Sequence, residues 1–262
     1  VTDPAALKAC CAQAYASPWV TLVLGEYWHP GGERLTVHLG QALALTEGDT
    51  VGDVACGTGA AARLLHRTFG CRVLGVDLGA AQVRRARDLA AEAGLGESVA
   101  FAEADAESLP WPDGSLDAVI CECALCTFPA PERAVAEWRR VLRPGGRLGI
   151  TDVTRRGALP EGLGDLAAWV ACLAGARSLE GYASLLAGGG FLVERQEDRS
   201  ADLQALVDRI GRAVLAWLDF RGPDDGGEEG TAARARRLLA EIGGAVRAGD
   251  LGYGLLVARR GG

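Results

Sequence analysis

Val51-Gly-Asp-Val-Ala-Cys-Gly-Thr-Gly59 reads as a short apolar strand running into a glycine turn, and Cys71-Arg-Val-Leu-Gly-Val-Asp77 as a second apolar strand that ends in an acid. The stretch between them, 59–69, has the pattern of a helix. A strand, a glycine turn, a helix and a second strand closed by a carboxylate together make a site for an adenosine-bearing ligand. Gly57 and Gly59 let backbone approach the ligand closely, and Asp77 can accept both hydroxyls of a ribose. The turn is Asp53-x-Ala55-x-Gly57-x-Gly59, which differs from the G-x-G-x-x-G of dinucleotide-binding turns.

On either side of this unit the apolar pattern alternates between strand and helix. The expected strands are 50–55, 71–76, 98–102, 116–121, 146–152, 190–196 and 251–259. The expected helices are 59–69, 79–93, 131–142, 163–175, 179–187, 201–219 and 231–247. In the 79–93 helix, Val83, Ala86, Leu89 and Ala90 recur at helical spacing with arginines opposite. The 131–142 helix opens on Pro131 and stops at Arg143-Pro-Gly-Gly146. Such alternation predicts an α/β fold with a doubly wound, mainly parallel sheet covered by helices on both faces. Ahead of it, residues 1–47 read as an N-terminal helical cap, with helix at 4–16, an apolar stretch at 18–24, loop chemistry at 26–32 and helix at 33–45. Residues 48–262 form the main domain, with a helical insertion near 200–248 and a Gly-rich loop at 222–230.

The chain has 262 residues, of which 49% are hydrophobic and 23% charged, and a formal net charge of −7. An acidic balance of this kind lacks the basic footprint of a nucleic-acid binder, and no apolar run approaches the ~20 residues of a membrane span. No signal-peptide pattern is present, so a cytoplasmic protein with reduced thiols is the expectation for its eight cysteines. Oligomeric state is left open.

The Asp53–Gly59 turn resembles motif I of the class I S-adenosylmethionine-dependent methyltransferases. Asp105-Ala-Glu-Ser-Leu-Pro-Trp-Pro-Asp-Gly-Ser-Leu-Asp117 resembles the middle motifs of the ubiquinone/menaquinone-type members, and Leu142-Arg-Pro-Gly-Gly146 extends the likeness over roughly residues 48–152. The resemblance implies a Rossmann-like sheet of seven strands in the order 3-2-1-4-5-7-6, the last strand antiparallel. It implies S-adenosylmethionine as cofactor, held by Asp53, Ala55, Gly57, Gly59, Asp77, Leu78, Asp105, Ala106 and Glu122. Asp77 would then take the ribose, Asp105 the adenine amino group, and the Ala106 amide the adenine ring. For Asp117 a turn or cap role is an equal alternative.

The cysteines carry a narrower likeness. Val119-Ile-Cys-Glu-Cys-Ala-Leu125 resembles the fourth-strand segment of arsenite methyltransferases, whose arsenic-binding cysteine matches Cys123. Trp169-Val-Ala-Cys-Leu-Ala-Gly-Ala176 resembles that family's second cysteine segment and matches Cys172. The family also uses cysteines ahead of the sheet, a place that Cys10 or Cys11 would fill. It has asparagine where this chain has Glu122. The resemblance implies trivalent arsenic as substrate on Cys123 and Cys172, with no resident metal. Trivalent arsenic is soft, and thiolates are its natural ligands.

Strand alternation alone would point Cys121 and Cys123 the same way. Cys56, Cys71 and Cys121 also read as small buried hydrophobes. Cys126, His29 and Trp28 are expected around the substrate pocket. The competing reading is a small organic acceptor, methylated at oxygen, nitrogen or carbon. Trp28, Trp111, Phe128 and Trp169 would shape its pocket, and Glu122, Asp152 or His29 would serve as base. A third reading is a thiol-based metalloid binder without turnover.

Overall fold

The computed structural model describes residues 8, 27, 29–157, 173, 175–221 and 231–262. The expected helices at 4–16 and 163–175, the stretch at 18–24 and the loop at 222–230 lie largely or wholly outside them. In chain order the elements are α1 (Gly32–Ala42), β1 (Thr50–Val54), α2 (Ala60–Phe69), β2 (Arg72–Asp77), α3 (Ala80–Glu92), β3 (Val99–Glu103) and β4 (Leu116–Glu122). A 3-10 turn, Leu125–Thr127, leads to α4 (Pro131–Val141), β5 (Leu142–Arg155), α5 (Leu179–Gly188), β6 (Phe191–Asp198), α6 (Ser200–Arg221), α7 (Thr231–Ala248) and β7 (Leu251–Arg260).

The strands form one seven-stranded sheet in the order β3-β2-β1-β4-β5-β7-β6. Pairing is parallel from β3 through β5, and β7 runs antiparallel to both of its neighbours. This is the expected doubly wound architecture. The strand order reverses between β1 and β4, so the carboxyl ends of these strands flank the crevice where such sheets bind ligands.

Period-two alternation divides the core. Val51, Ala118, Ile120, Tyr253, Leu255 and Val257 face α1, α2, α3 and parts of α6 and α7. Val119, Cys121, Leu148, Leu256 and Ala258 face α4 and α5, where Trp138, Val141, Tyr182 and Leu186 pack. No described helix is long and apolar enough to cross a membrane.

One strand begins earlier than its sequence suggests. The Arg-Pro-Gly-Gly stop ends α4 at Val141, but β5 starts at once, at Leu142. Pairing with β4 jumps from Leu116–Leu142 to Ala118–Arg147, so residues 143–146 bulge from the ladder, with Gly145 at φ 72°. Arg147 then emerges where it fixes α1. Its guanidinium donates to the carbonyls of Leu43 and Ala44 at 2.7 and 2.8 Å and pairs with Asp49. Gly149 allows α1 to lie close against β5, since a methyl there would stand 2.8 Å from Leu39. In this way the start of α1 is brought over the end of β4.

Trp138 is fully buried, and its indole Nε1 has no hydrogen-bond partner among the described residues. The Trp138→Phe substitution discards that unsatisfied donor and is expected to cost about 1–2 kcal/mol, against about 3–5 kcal/mol for Trp138→Ala. Urea unfolding of the two variants measures the gap.

Candidate active site

The glycine turn after β1 is held from below and from one side. Ala55 has φ 60°, the Cys56 N–H donates to the Val76 carbonyl at 2.9 Å, and the Gly59 N–H donates to the Cys56 carbonyl at 2.8 Å. Gly59 lies at φ 73°, and a methyl on it would stand 2.3 Å from the Phe101 ring, so this position requires glycine twice over. Asp77, at the end of β2, accepts the Gly57 N–H on Oδ2 at 2.9 Å and the Gly79 N–H on Oδ1 at 2.8 Å. One carboxylate thus ties the glycine turn to the start of α3, and each oxygen keeps a lone pair for a ligand. Burial pushes its pKa up, and the two amides work against that rise.

The cleft between these strand ends is lined by Asp53, Ala55, Gly57, Asp77, Leu78, Asp105, Ala106, Glu122, Cys123 and His29, all sequence candidates. Lys8, Tyr27, Thr58, Gln82, Thr127 and Phe128 line it too. Beyond β3, Asp105 accepts the Glu107 N–H at 2.9 Å, and Lys8 Nζ bridges Asp105 Oδ2 and Glu107 Oε2 at 2.7 Å each. Burial alone would raise the Asp105 pKa, but the Lys8 ammonium and the Glu107 amide outweigh it and hold the carboxyl below its ordinary range. Glu107 is itself anchored by the Ala130 N–H at 2.8 Å.

Asp53 is the strained group of the site. Its Oδ2 is buried with no hydrogen-bond partner among the described residues. Burial, then the charges of Glu122 and Asp77, push its pKa well up, opposed only by the Ala62 backbone. Glu122 lies buried beneath α1, where the Thr36 hydroxyl donates to it at 3.0 Å. His29 Nε2 stands 3.2 Å from Thr36 Oγ1 and 3.7 Å from Glu122 Oε2, and His29 Nδ1 lies 3.0 Å from the Pro30 carbonyl oxygen.

Several expected placements change. β4 ends at Glu122, and Cys123 takes φ 55° with its N–H donated to the Thr151 carbonyl at 2.6 Å. Alternation therefore fails at this point: Cys121 packs with α4 and α5, whereas Cys123 packs with the opposite core and lines the cleft. Cys126 is not a cleft residue. Its side chain lies in the core, and its N–H donates to Asp152 Oδ2 at 3.0 Å. That bond and the Val153 N–H occupy Asp152 as a backbone tie rather than a base. Trp111 packs against the core beside Gly52, away from the cleft. Asp117 is structural, accepting the Thr50 N–H at 2.8 Å and the Arg143 guanidinium at 2.6 Å. Cys10, Cys11, Trp28, Trp169 and Cys172 lie outside the described residues. Among those described, no cluster of three or more His, Cys, Asp or Glu side chains has the arrangement of a metal site.

Sequence reading missed Lys8, Thr36 and Gln82. Lys8 meets its partners 97 and 99 residues away, which no local pattern announces. Thr36 follows His29 by seven residues on the first turns of α1, and Gln82 is a polar residue at a buried helical position. Both were legible as exceptions to the apolar pattern.

The cleft as a whole is an acidic funnel. Asp53, Asp77, Asp105 and Glu122 line it with Lys8 as the cation.

A family model described as a methyltransferase domain matches residues 52–150. Methyltransferase GfsG of Streptomyces halstedii is 36% identical over 204 residues, covering 77% of this chain and 72% of that protein. The chain is a class I S-adenosylmethionine-dependent methyltransferase. The 27-O-demethylrifamycin SV methyltransferase of Amycolatopsis mediterranei is 39% identical over 119 residues, 45% of this methyltransferase and 44% of that one. The crystal structure of the cyclase SpnF superposes with a TM-score of 0.76 at 30% identity, covering 95% of both chains.

S-adenosylmethionine is the cofactor of the methyltransferase, supplying when bound a methyl group on a positively charged sulfur. The orphaned Asp53 oxygen, the glycine cradle and the two open lone pairs of Asp77 fit it. Because Asp53 resists ionisation in the folded, cofactor-free chain, its contribution to stability falls as pH rises through its raised pKa. Asp53→Asn removes that loss. At pH 8 the variant is expected to melt higher than wild type without cofactor, with the gap closing at acid pH, and to bind S-adenosylmethionine about tenfold or more weakly. Thermal melts across pH and calorimetric titration check both arms.

Proposed function

We propose that the methyltransferase alkylates a hydroxyl group of a small organic acceptor, with His29 taking the acceptor's proton. The arrangement of His29, Thr36 and Glu122 carries this reading. The Pro30 carbonyl can take a hydrogen only from Nδ1, which fixes the neutral imidazole with its lone pair on Nε2. Thr36 has a single hydroxyl hydrogen, which Glu122 at 3.0 Å and the neutral His29 Nε2 at 3.2 Å can each accept. A proton gained at Nε2 completes the set, since Nε2–H then donates to Thr36 and the imidazolium faces the Glu122 carboxylate at 3.7 Å. An imidazole on the cleft backed by a carboxylate at this distance has the geometry of a general base. Phe128 and Tyr27 give the acceptor end of the cleft apolar walls, and the rifamycin relative is named for an oxygen-linked methyl group.

A second reading, methylation of trivalent arsenic, draws on one specific observation. Cys123 is held at a left-handed backbone conformation with its side chain on the cleft, a geometry that costs a non-glycine residue about 1 kcal/mol or more. In that reading Cys172 and one of Cys10 or Cys11 would complete the thiolate set, and no base is required.

The two readings separate in one assay of S-adenosylhomocysteine formation. Hydroxylated aromatic, polyketide and lipid acceptors are tested beside arsenite with excess thiol. The organic reading expects turnover on a hydroxyl acceptor, a fall of about 10²–10⁴ in kcat for His29→Gln, and little change for Cys123→Ser. Turnover on arsenite that is abolished by Cys123→Ser, with His29→Gln unaffected, would establish the second reading instead.

A further inference from the structure

Lys8 is the only lysine in the chain; every other basic side chain among its 27 Lys and Arg is an arginine. It stands at the end of the cleft beyond β3, with Nζ 2.7 Å from Asp105 Oδ2 and 2.7 Å from Glu107 Oε2. The two acids are not equivalent. Glu107 is 7% exposed, takes no part in the cleft lining and is pinned by the Ala130 N–H, so it anchors the ammonium from outside the cleft. Asp105 lines the cleft together with Lys8. Burial opposes the charge on Lys8, but its hydrogen bonds to Asp105 and Glu107 outweigh that and raise its pKa, so it keeps three hydrogens. Two are spent on the acids, and among the described residues the third has no partner. The cleft wall therefore presents an acceptor, Asp105, and a charged donor, Lys8, side by side.

We propose that Lys8 reads the adenine ring of the cofactor, its third hydrogen going to one of the two ring nitrogens, N1 or N7, that flank the amino group held by Asp105. The proposal rests on the adenine standing at Asp105, as the likeness to the family's middle motifs implies. Strand order agrees with that placement. Asp53 is on β1, Asp77 ends β2, and β3, the next strand out, leads to Asp105. Adenine carries a donor beside an acceptor on either side of its amino group, with N7 on one edge and N1 on the other. Asp105 and Lys8 offer the complementary pair, acceptor beside donor, 2.7 Å apart. Each Asp105 oxygen has spent one lone pair, on Lys8 and on the Glu107 N–H, so the carboxylate keeps room for the amino group. The choice of lysine follows. The planar fork of a guanidinium suits two parallel bonds to one carboxylate, whereas a compact ammonium with three divergent hydrogens serves two acids and a ligand at once.

The test is binding, independent of methyl transfer and of the acceptor. Calorimetry compares S-adenosylhomocysteine with its 1-deaza, 7-deaza and 6-desamino analogues on wild type and on Lys8→Met, which keeps a long side chain but has no donor. Wild type is expected to lose about tenfold in affinity for at least one deaza analogue, and Lys8→Met to lose about as much for the parent ligand. The decisive result is coupling: the variant should discriminate against that deaza analogue less than twofold. The proposal is overturned if wild type binds both deaza analogues as tightly as the parent. It is equally overturned if Lys8→Met binds the parent as wild type does, or keeps full discrimination against both. The desamino analogue separates this failure from that of the reading beneath it. A tenfold loss there with no loss for either deaza analogue overturns the Lys8 contact alone. Full wild-type affinity for the desamino analogue shows the Asp105 placement to be wrong and takes the proposal with it. These wild-type results stand whether or not the variant folds.

Discussion

The site depends on a repulsion the fold cannot avoid. Asp53, Asp77 and Glu122 end neighbouring strands around the point where strand order reverses, and burial together with mutual charge drives Asp53 away from its ionised form. In a cofactor-free chain this is a liability, since desolvated like charges cost free energy. It is also what makes the cleft selective for a cation. A ligand bearing positive charge turns each repulsive pair into an attractive triplet, so the strain stored in the strand ends is released on binding. The backbone is arranged to hold these acids in place. Asp77 is fixed by two amides, Glu122 by the Thr36 hydroxyl, and α1 by the Arg147 contacts that begin at the β5 bulge.

The same frame explains how one scaffold serves different chemistry. SpnF, which shares the fold over nearly the whole chain, is called a cyclase, so the fold by itself does not choose a reaction. In this chain the cleft is lined by His29 from the segment ahead of the sheet, which stands 3.7 Å from Glu122, and by Cys123 and Phe128 from the turn after β4.

The sheet and the Asp53–Asp77 unit were legible in the sequence because their causes are local, whereas the strand order came with the resemblance to the methyltransferase family. A glycine turn, a short apolar run and a terminal acid act within about 25 residues, and alternation of strand and helix leaves few topologies to choose from. What could not be read depends on distance or on backbone conformation. Cys123 was expected to share a face with Cys121, but the strand ends at Glu122 and the left-handed backbone at Cys123 turns its side chain to the other face. Cys126 and Asp152 looked like pocket residues and are bound to each other through a backbone amide. Asp117, ambiguous in sequence, is committed to Thr50 and Arg143 at the far end of its strand. Lys8 joins Asp105 and Glu107 by a fold contact that only three dimensions reveal.

Cofactor binding is expected to relieve a carboxyl group whose ionisation is opposed by burial first and by the charges of Glu122 and Asp77 second. The most direct measurement is the number of protons exchanged when S-adenosylmethionine binds, obtained from calorimetry in buffers of different ionisation enthalpy across about pH 5 to 8. Release of protons, with affinity rising as pH rises and the release lost in Asp53→Asn, is the predicted result. Binding with no proton exchange and a flat pH dependence would show that Asp53 is ionised before the cofactor arrives, and would contradict the account.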